Sequence, residues 1–224
     1  MLFERLSGLS AILAGLTYVI GFWVYFSVLG PAQYGSLSVA AEDHVRFLID
    51  NLEFMLGWNL IIYVLNAILM VVLVVGLHAR LGENAGWLSQ TARAFGLIWA
   101  GLILAAGMVN NIGTTQIVRL ADVDMEAAIQ LWRSIIVVGS GLGGGNEVTG
   151  GLWIFLVSLT AHQTKRLPKL VNALGGLIGL AGIISTIPPL ASANMIFGLG
   201  FIVWFFAIGS VLMTGRNAAR QQTI

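Results

Sequence analysis

The chain has no cysteine and very little charge. Without cysteine there are no disulfides, thiolate metal sites, iron–sulfur clusters or thiol nucleophiles. Charged residues make up 9% of the 224 positions, against roughly a quarter in soluble domains. The net charge of +1 points to neither nucleic acid nor an acidic partner. The sequence contains no H-E-x-x-H pair, no D-x-D-x-x-[DE] motif and no spaced Ser, His and Asp set, so no catalytic residue and no cofactor is assigned.

What is present is apolar. Hydrophobic residues reach 58% and the mean hydropathy is +0.90. Such a chain cannot cover its surface with polar groups, so lipid must do so. The length gives room for about six spans of roughly 20 residues. They are expected near residues 8–29, 54–77, 94–112, 143–161, 170–187 and 195–214, with a polar tail over 215–224. No cleaved leader is expected, because the first apolar run is too long and Leu29-Gly30-Pro31 offers no small-x-small site. Pro168 separates spans four and five, and Pro188-Pro189 forces the next turn.

Two connectors carry helical patterns. Residues 38–50 place Glu42 one turn before Arg46. Met125, Ile129, Trp132 and Ile136 form one apolar stripe behind an acid cluster at Asp122, Asp124 and Glu126. Both read as short amphipathic helices on the outer face. With the N-terminus in the cytoplasm, eight of the 11 basic residues fall inside and Arg46, Arg119 and Arg133 fall outside. That is a positive-inside distribution. The expected fold class is therefore all-α: a polytopic bundle of six transmembrane helices plus two outer-face helices, in a bacterial inner membrane with both termini cytoplasmic.

Residues 139–167 hold the densest glycine, with Glu147 in their midst. Gly139 to Gly144 formally matches G-x-G-x-x-G, but the fingerprint requires a preceding strand and an acid about twenty residues on. Neither is present, which leaves packing: Gly139 with Gly143, Gly141 with Gly145, and Gly175 with Gly179 are small-xxx-small pairs. Glycine at this density is also suited to bending or unwinding span four. An acid beside a bilayer-length segment is a functional-site hypothesis. The plainer reading of Glu147 is an interfacial acid that reaches water or pairs with Arg133 or Arg119.

Asn59, Tyr63 and Asn66 fall at i, i+4 and i+7 of span two, on one helix face. In a six-span topology Asn59, Asn110, Asn111, Asn146 and Glu147 share the outer half, with Thr17 and Tyr18 deeper. These positions predict an outward-facing polar pocket between spans two, three and four. Its candidate ligand-binding residues are Glu147, Asn59, Tyr63, Asn66, Asn110 and Asn146. Ordinary interhelical hydrogen bonding is the alternative, at about 0.6 kcal/mol per contact. His44 falls on the opposite side from His78 and His162, so the three histidines cannot share one metal. Trp99, Trp153 and Trp204 lie inside spans and are expected to pack; the other tryptophans fall near span ends, as interfacial anchors do.

Four places resemble a known family: Gly76-Leu77-His78-Ala79-Arg80-Leu81, Ala92-Arg93-Ala94-Phe95-Gly96, Glu147 with Gly151-Leu152-Trp153, and Leu167-Pro168-Lys169. Together with the spacing of the spans they resemble the six-span bacterial membrane proteins catalogued as domain of unknown function 4386. His78 stands where that pattern has tyrosine, and the triple glycine is unusually rich. The resemblance implies fold and location but no activity. Expected partners are the bilayer, a small-molecule or lipid ligand, and a homo-oligomer or another membrane subunit. Nucleic acid is not among them.

Overall fold

The computed structural model describes residues 2–82, 86–144 and 147–214. Most of those residues are helical, with no strand among them. In chain order the helices are α1 (Leu2–Val24), α2 (Ala41–Asp50), α3 (Leu52–Asn59), α4 (Asn66–Leu81), α5 (Gly86–Ala121), α6 (Met125–Gly139), α7 (Val148–Thr164), α8 (Lys169–Ile184) and α9 (Ala193–Thr214). Three π-helical segments interrupt or extend them: π1 (Tyr25–Leu29), π2 (Leu60–Leu65) and π3 (Ser140–Gly144).

Among the described residues, four helical segments are long and apolar enough to cross a membrane: Leu2–Leu29, Leu52–Leu81, Gly86–Ala121 and Ala193–Thr214. They correspond to predicted spans one, two, three and six. The third is much longer than residues 94–112, running 36 residues, or about 54 Å at the helical rise. No proline interrupts it, so its polar ends continue the helix beyond the apolar centre. Predicted spans four and five are shorter than expected. α7 has 17 residues and α8 has 16, so each reaches about 25 Å, against a hydrocarbon core of about 30 Å. Local chemistry sets these limits. Lys165, with φ 54°, ends α7 in the left-handed region, and Pro168 is the N-cap of α8. Large apolar side chains such as Ile68, Ile98, Leu177, Ile196 and Val203 remain exposed, as a lipid-facing surface requires. The all-helical architecture with several membrane-length helices fits a multi-pass membrane protein.

The chain divides into two compact units. The first comprises Met1–Leu16, Asn66–Gly101 and Asn146–Ile224; the second comprises Thr17–Leu65 and Leu102–Gly145. The first unit is built on close backbone approach. A methyl group on Gly151 of α7 would stand 2.7 Å from the Ile183 nitrogen and 2.9 Å from the Gly179 oxygen of α8. Gly8 and Gly209 bring α1 and α9 together similarly, each within 2.8 Å of the other's carbonyl oxygen by the same measure. Around these contacts Trp99, Trp153, Phe197, Phe201, Trp204 and Phe205 form one aromatic core, each at most 1% exposed. Trp99 and Trp153 have centroids 5.7 Å apart, and Trp153 meets Trp204 edge-on at 5.7 Å. The three tryptophans expected to pack therefore do so. Gly175 and Gly179 both lie against neighbouring helix atoms, as the small-xxx-small spacing predicts.

The second unit contains the end of α1, π1, α2, α3, π2, the later half of α5, α6 and π3. Its core joins Val24, Leu29, Val45, Leu48, Met55, Ile117, Ala128, Ile129 and Trp132. Burial of Ile129 and Trp132 follows the apolar stripe read from the sequence. Asp124 caps α6, its side chain accepting the Ala127 N–H at 3.0 Å. On α2 the predicted Glu42–Arg46 pair forms at 2.6 Å.

Candidate functional site

The second unit holds a cleft of about 750 Å³. Its wall includes Tyr25 and Leu29 from π1, Gln33 to Ser36 from the following loop, and Tyr63 from π2. Asn110 of α5, Ile136 and Gly139 of α6, and Ser140 of π3 complete it. All three π-helical segments thus supply wall residues. A π turn bonds i to i+5, widens the helix and occurs often at functional sites. A smaller chamber of about 150 Å³ shares Leu29, Tyr34, Tyr63, Asn110 and Ile136 with the cleft. It extends to Trp58, Asn59, Thr114 and Trp132.

Three of the six residues predicted from the sequence, Asn59, Tyr63 and Asn110, therefore line this pair of cavities. Asn59 is 4% exposed, and its amide has no hydrogen-bond partner among the described residues. Asn110 fits against α6 because residue 139 is glycine: a methyl group there would stand 2.7 Å from Asn110 Oδ1. Asn66 is not on either wall. It begins α4 in the first unit, after π2. The i, i+4, i+7 spacing presumed an uninterrupted α-helix. A π segment breaks that register, since one extra residue rotates all later positions by about 100°. Glu147 also belongs to the first unit. It is half-buried immediately before α7, with its carbonyl accepting the Gly151 N–H at 2.7 Å. Asn146 lies outside the described residues. Thr17 and Tyr18 are in the second unit but on neither wall.

The loop after π1 supplies wall residues that the sequence did not single out. Two left-handed residues, Gln33 (φ 50°) and Gly35 (φ 83°), turn it back on itself. His44, 2% exposed on α2, holds it in place. The His44 Nδ1 accepts the Gly35 N–H at 3.4 Å, and its Nε2 lies 3.1 Å from the Ser36 carbonyl oxygen. A carbonyl only accepts, so in this contact Nε2 is the donor. The ring stacks on Trp132 at 4.5 Å between centroids. Trp132 Nε1 in turn donates to Tyr34 Oη at 3.3 Å. Burial pushes the Tyr34 phenol up to about 12, with the Trp132 bond opposing and Tyr63 adding to the rise. The one sequence signal for this arrangement was the position of His44 beside Val45 and one turn before Leu48, on the buried face of α2.

Among the described residues no charged side chain lines either cavity. A third hollow, of about 480 Å³ in the first unit, is lined by His78, Gln90, Arg93, Ala94 and Leu97. His78 Nδ1 lies 2.9 Å from Ser89 Oγ there. Among the described residues no group of three or more His, Cys, Asp or Glu side chains comes together. No family model, curated protein or solved structure matches the chain.

Proposed function

We propose that this chain is a six-span bacterial inner-membrane protein with both termini cytoplasmic, and that it binds or passes a small or lipid-like molecule through the cleft of the second unit. In this reading α7 and α8 are the fourth and fifth spans, while α2 and α6 lie at the outer face. The positive-inside distribution and the resemblance to the family catalogued as domain of unknown function 4386 support that topology. The observation that carries the binding reading is the convergence of three π-helical segments on one cleft containing Tyr63 and Asn110. π segments weaken the backbone ladder locally, and three around a single hollow are better accounted for by a ligand than by packing. Asn59, Tyr63 and Asn110 orient the ligand.

Native mass spectrometry of the protein, purified gently from its own membrane, tests this. The expected result is a bound small molecule or lipid of defined mass that is lost in Ile136→Trp, which fills the junction of the two cavities. An unliganded monomer whose spectrum Ile136→Trp leaves unchanged would overturn it. A larger assembly without added small mass would favour the second reading, an accessory subunit of a membrane complex. That reading draws on Gly57, Gly101 and Gly141, which have no neighbour within 4 Å where a side chain would stand and so leave helix surface open to another helix.

A further inference from the structure

The inner chamber limits what the cleft can take. Among the described residues, its walls and those of the cleft carry amides, hydroxyls, indoles and apolar side chains, but no charge. A charged group moved from water into such a site would have no counter-charge, which is costly. The chamber's volume, about 150 Å³, is that of a cavity able to hold one benzene-sized group. Two indoles, Trp58 and Trp132, contribute flat wall surface.

Its polar groups are left open. Asn59 is more than nine-tenths buried and has no partner among the described residues. The Thr114 hydroxyl, 5% exposed, and the Asn110 amide are likewise without one among the described residues. Trp58 Nε1 is a fully buried donor with no acceptor. Fully buried polar groups in native proteins are paired, and the unpaired Trp58 Nε1 is an exception that calls for an account. Amides and a hydroxyl both donate and accept, and an indole N–H donates. A carbonyl or hydroxyl group placed among them would satisfy several at once.

Resting on the reading of the cleft as a binding site, we infer that the inner chamber receives an uncharged, ring-sized head group bearing a carbonyl or hydroxyl, paired with Asn59 and Asn110. The larger cleft holds the remainder of the molecule. Asn59 then reads its polarity, and Ile136 stands at the junction through which the ring enters.

The test uses the full chain in nanodiscs and three radiolabelled probes with the same ring and tail: 4-octylbenzamide, 4-octylbenzoate and 4-octylbenzylammonium. Scintillation proximity gives saturable binding of each. The amide is expected to bind about tenfold or more tightly than either ion, with all specific binding abolished by Ile136→Trp. Asn59→Leu is expected to weaken the amide about tenfold while leaving Tm unchanged or higher, since the side chain it removes has no protein partner. Asn110→Ala provides a second variant, expected to weaken the amide in the same direction. Equal binding of all three probes, still abolished by Ile136→Trp, would overturn the inference and leave the cleft reading standing. Amide preference untouched by both asparagine variants would overturn the assignment to the chamber. No saturable binding, or binding that Ile136→Trp does not affect, would remove the cleft reading and the inference together.

Discussion

The two units of this chain solve the packing of apolar helices in opposite ways. In the first, glycines let backbones touch and six aromatic side chains fill what is left, each at most 1% exposed. In the second, three π-helical segments widen their helices, and a cleft of about 750 Å³ remains. Among the described residues the first unit has no π segment. The same composition, rich in glycine and aromatic residues, thus yields an aromatic core closed by glycine contacts in one unit, beside a hollow of about 480 Å³, and a larger cleft walled by π segments in the other. What differs is where the glycines fall. Gly151 and Gly179 lie against backbone atoms of a neighbouring helix, whereas Gly141, in π3, meets nothing within 4 Å.

The strongest way to break this comparison is to put side chains on both kinds of glycine. Gly151→Val is expected to cost about 3 kcal/mol, because backbone atoms at 2.7–2.9 Å cannot swing aside. Gly141→Ala is expected to change stability by less than about 0.5 kcal/mol. Unfolding in SDS, followed by tryptophan fluorescence, measures both. Similar costs at the two positions would mean that the units do not differ as described.

A smaller effect sharpens the description of the second unit. Trp132→Phe keeps an aromatic face for His44 but removes the Nε1 donor to Tyr34, and should cost about 1 kcal/mol. If the loop is held through His44 and Tyr34 as described, limited proteolysis after Gln33 should accelerate in this variant. A loop unaffected by the change would be held by something else.

The smallest effect concerns pH. The folded Tyr34 phenol, raised from 10.0 to about 12 chiefly by burial, keeps its proton where the unfolded chain has lost it. Stability from this group is therefore complete below pH 10 and falls as pH rises towards about 12. Tyr34→Phe should flatten the pH dependence of unfolding in that window. An unchanged slope would show that the phenol is not desolvated.

Much of the first unit was legible in advance because its signals are local or periodic. Pro168 marks the start of α8, small-xxx-small spacing marks Gly175 and Gly179, and Trp99, Trp153 and Trp204 are core because they sit within apolar runs. In the second unit the Asp124 cap, the Glu42–Arg46 pair and the stripe through Ile129 and Trp132 were equally readable. The candidate site was legible only in part. Asn59, Tyr63 and Asn110 stand out as amides and a phenol in apolar stretches. The loop at Gln33 to Ser36 and its attachment do not, since Trp132, which bonds Tyr34 and stacks on His44, comes from a segment 98 positions beyond Tyr34.

By itself the sequence determined that this chain is helical and apolar enough for a membrane, and, at Asp124 and Pro168, where a helix begins. Those properties follow from hydropathy, proline and capping chemistry, each acting within a few residues. Only the tertiary structure decided that a π segment interrupts the helix at π2, and that Asn59, Tyr63 and Asn110 line a cavity. A π turn has no sequence period of its own. It forms where an inserted residue is tolerated by what packs around it, and that depends on neighbours brought together by the fold.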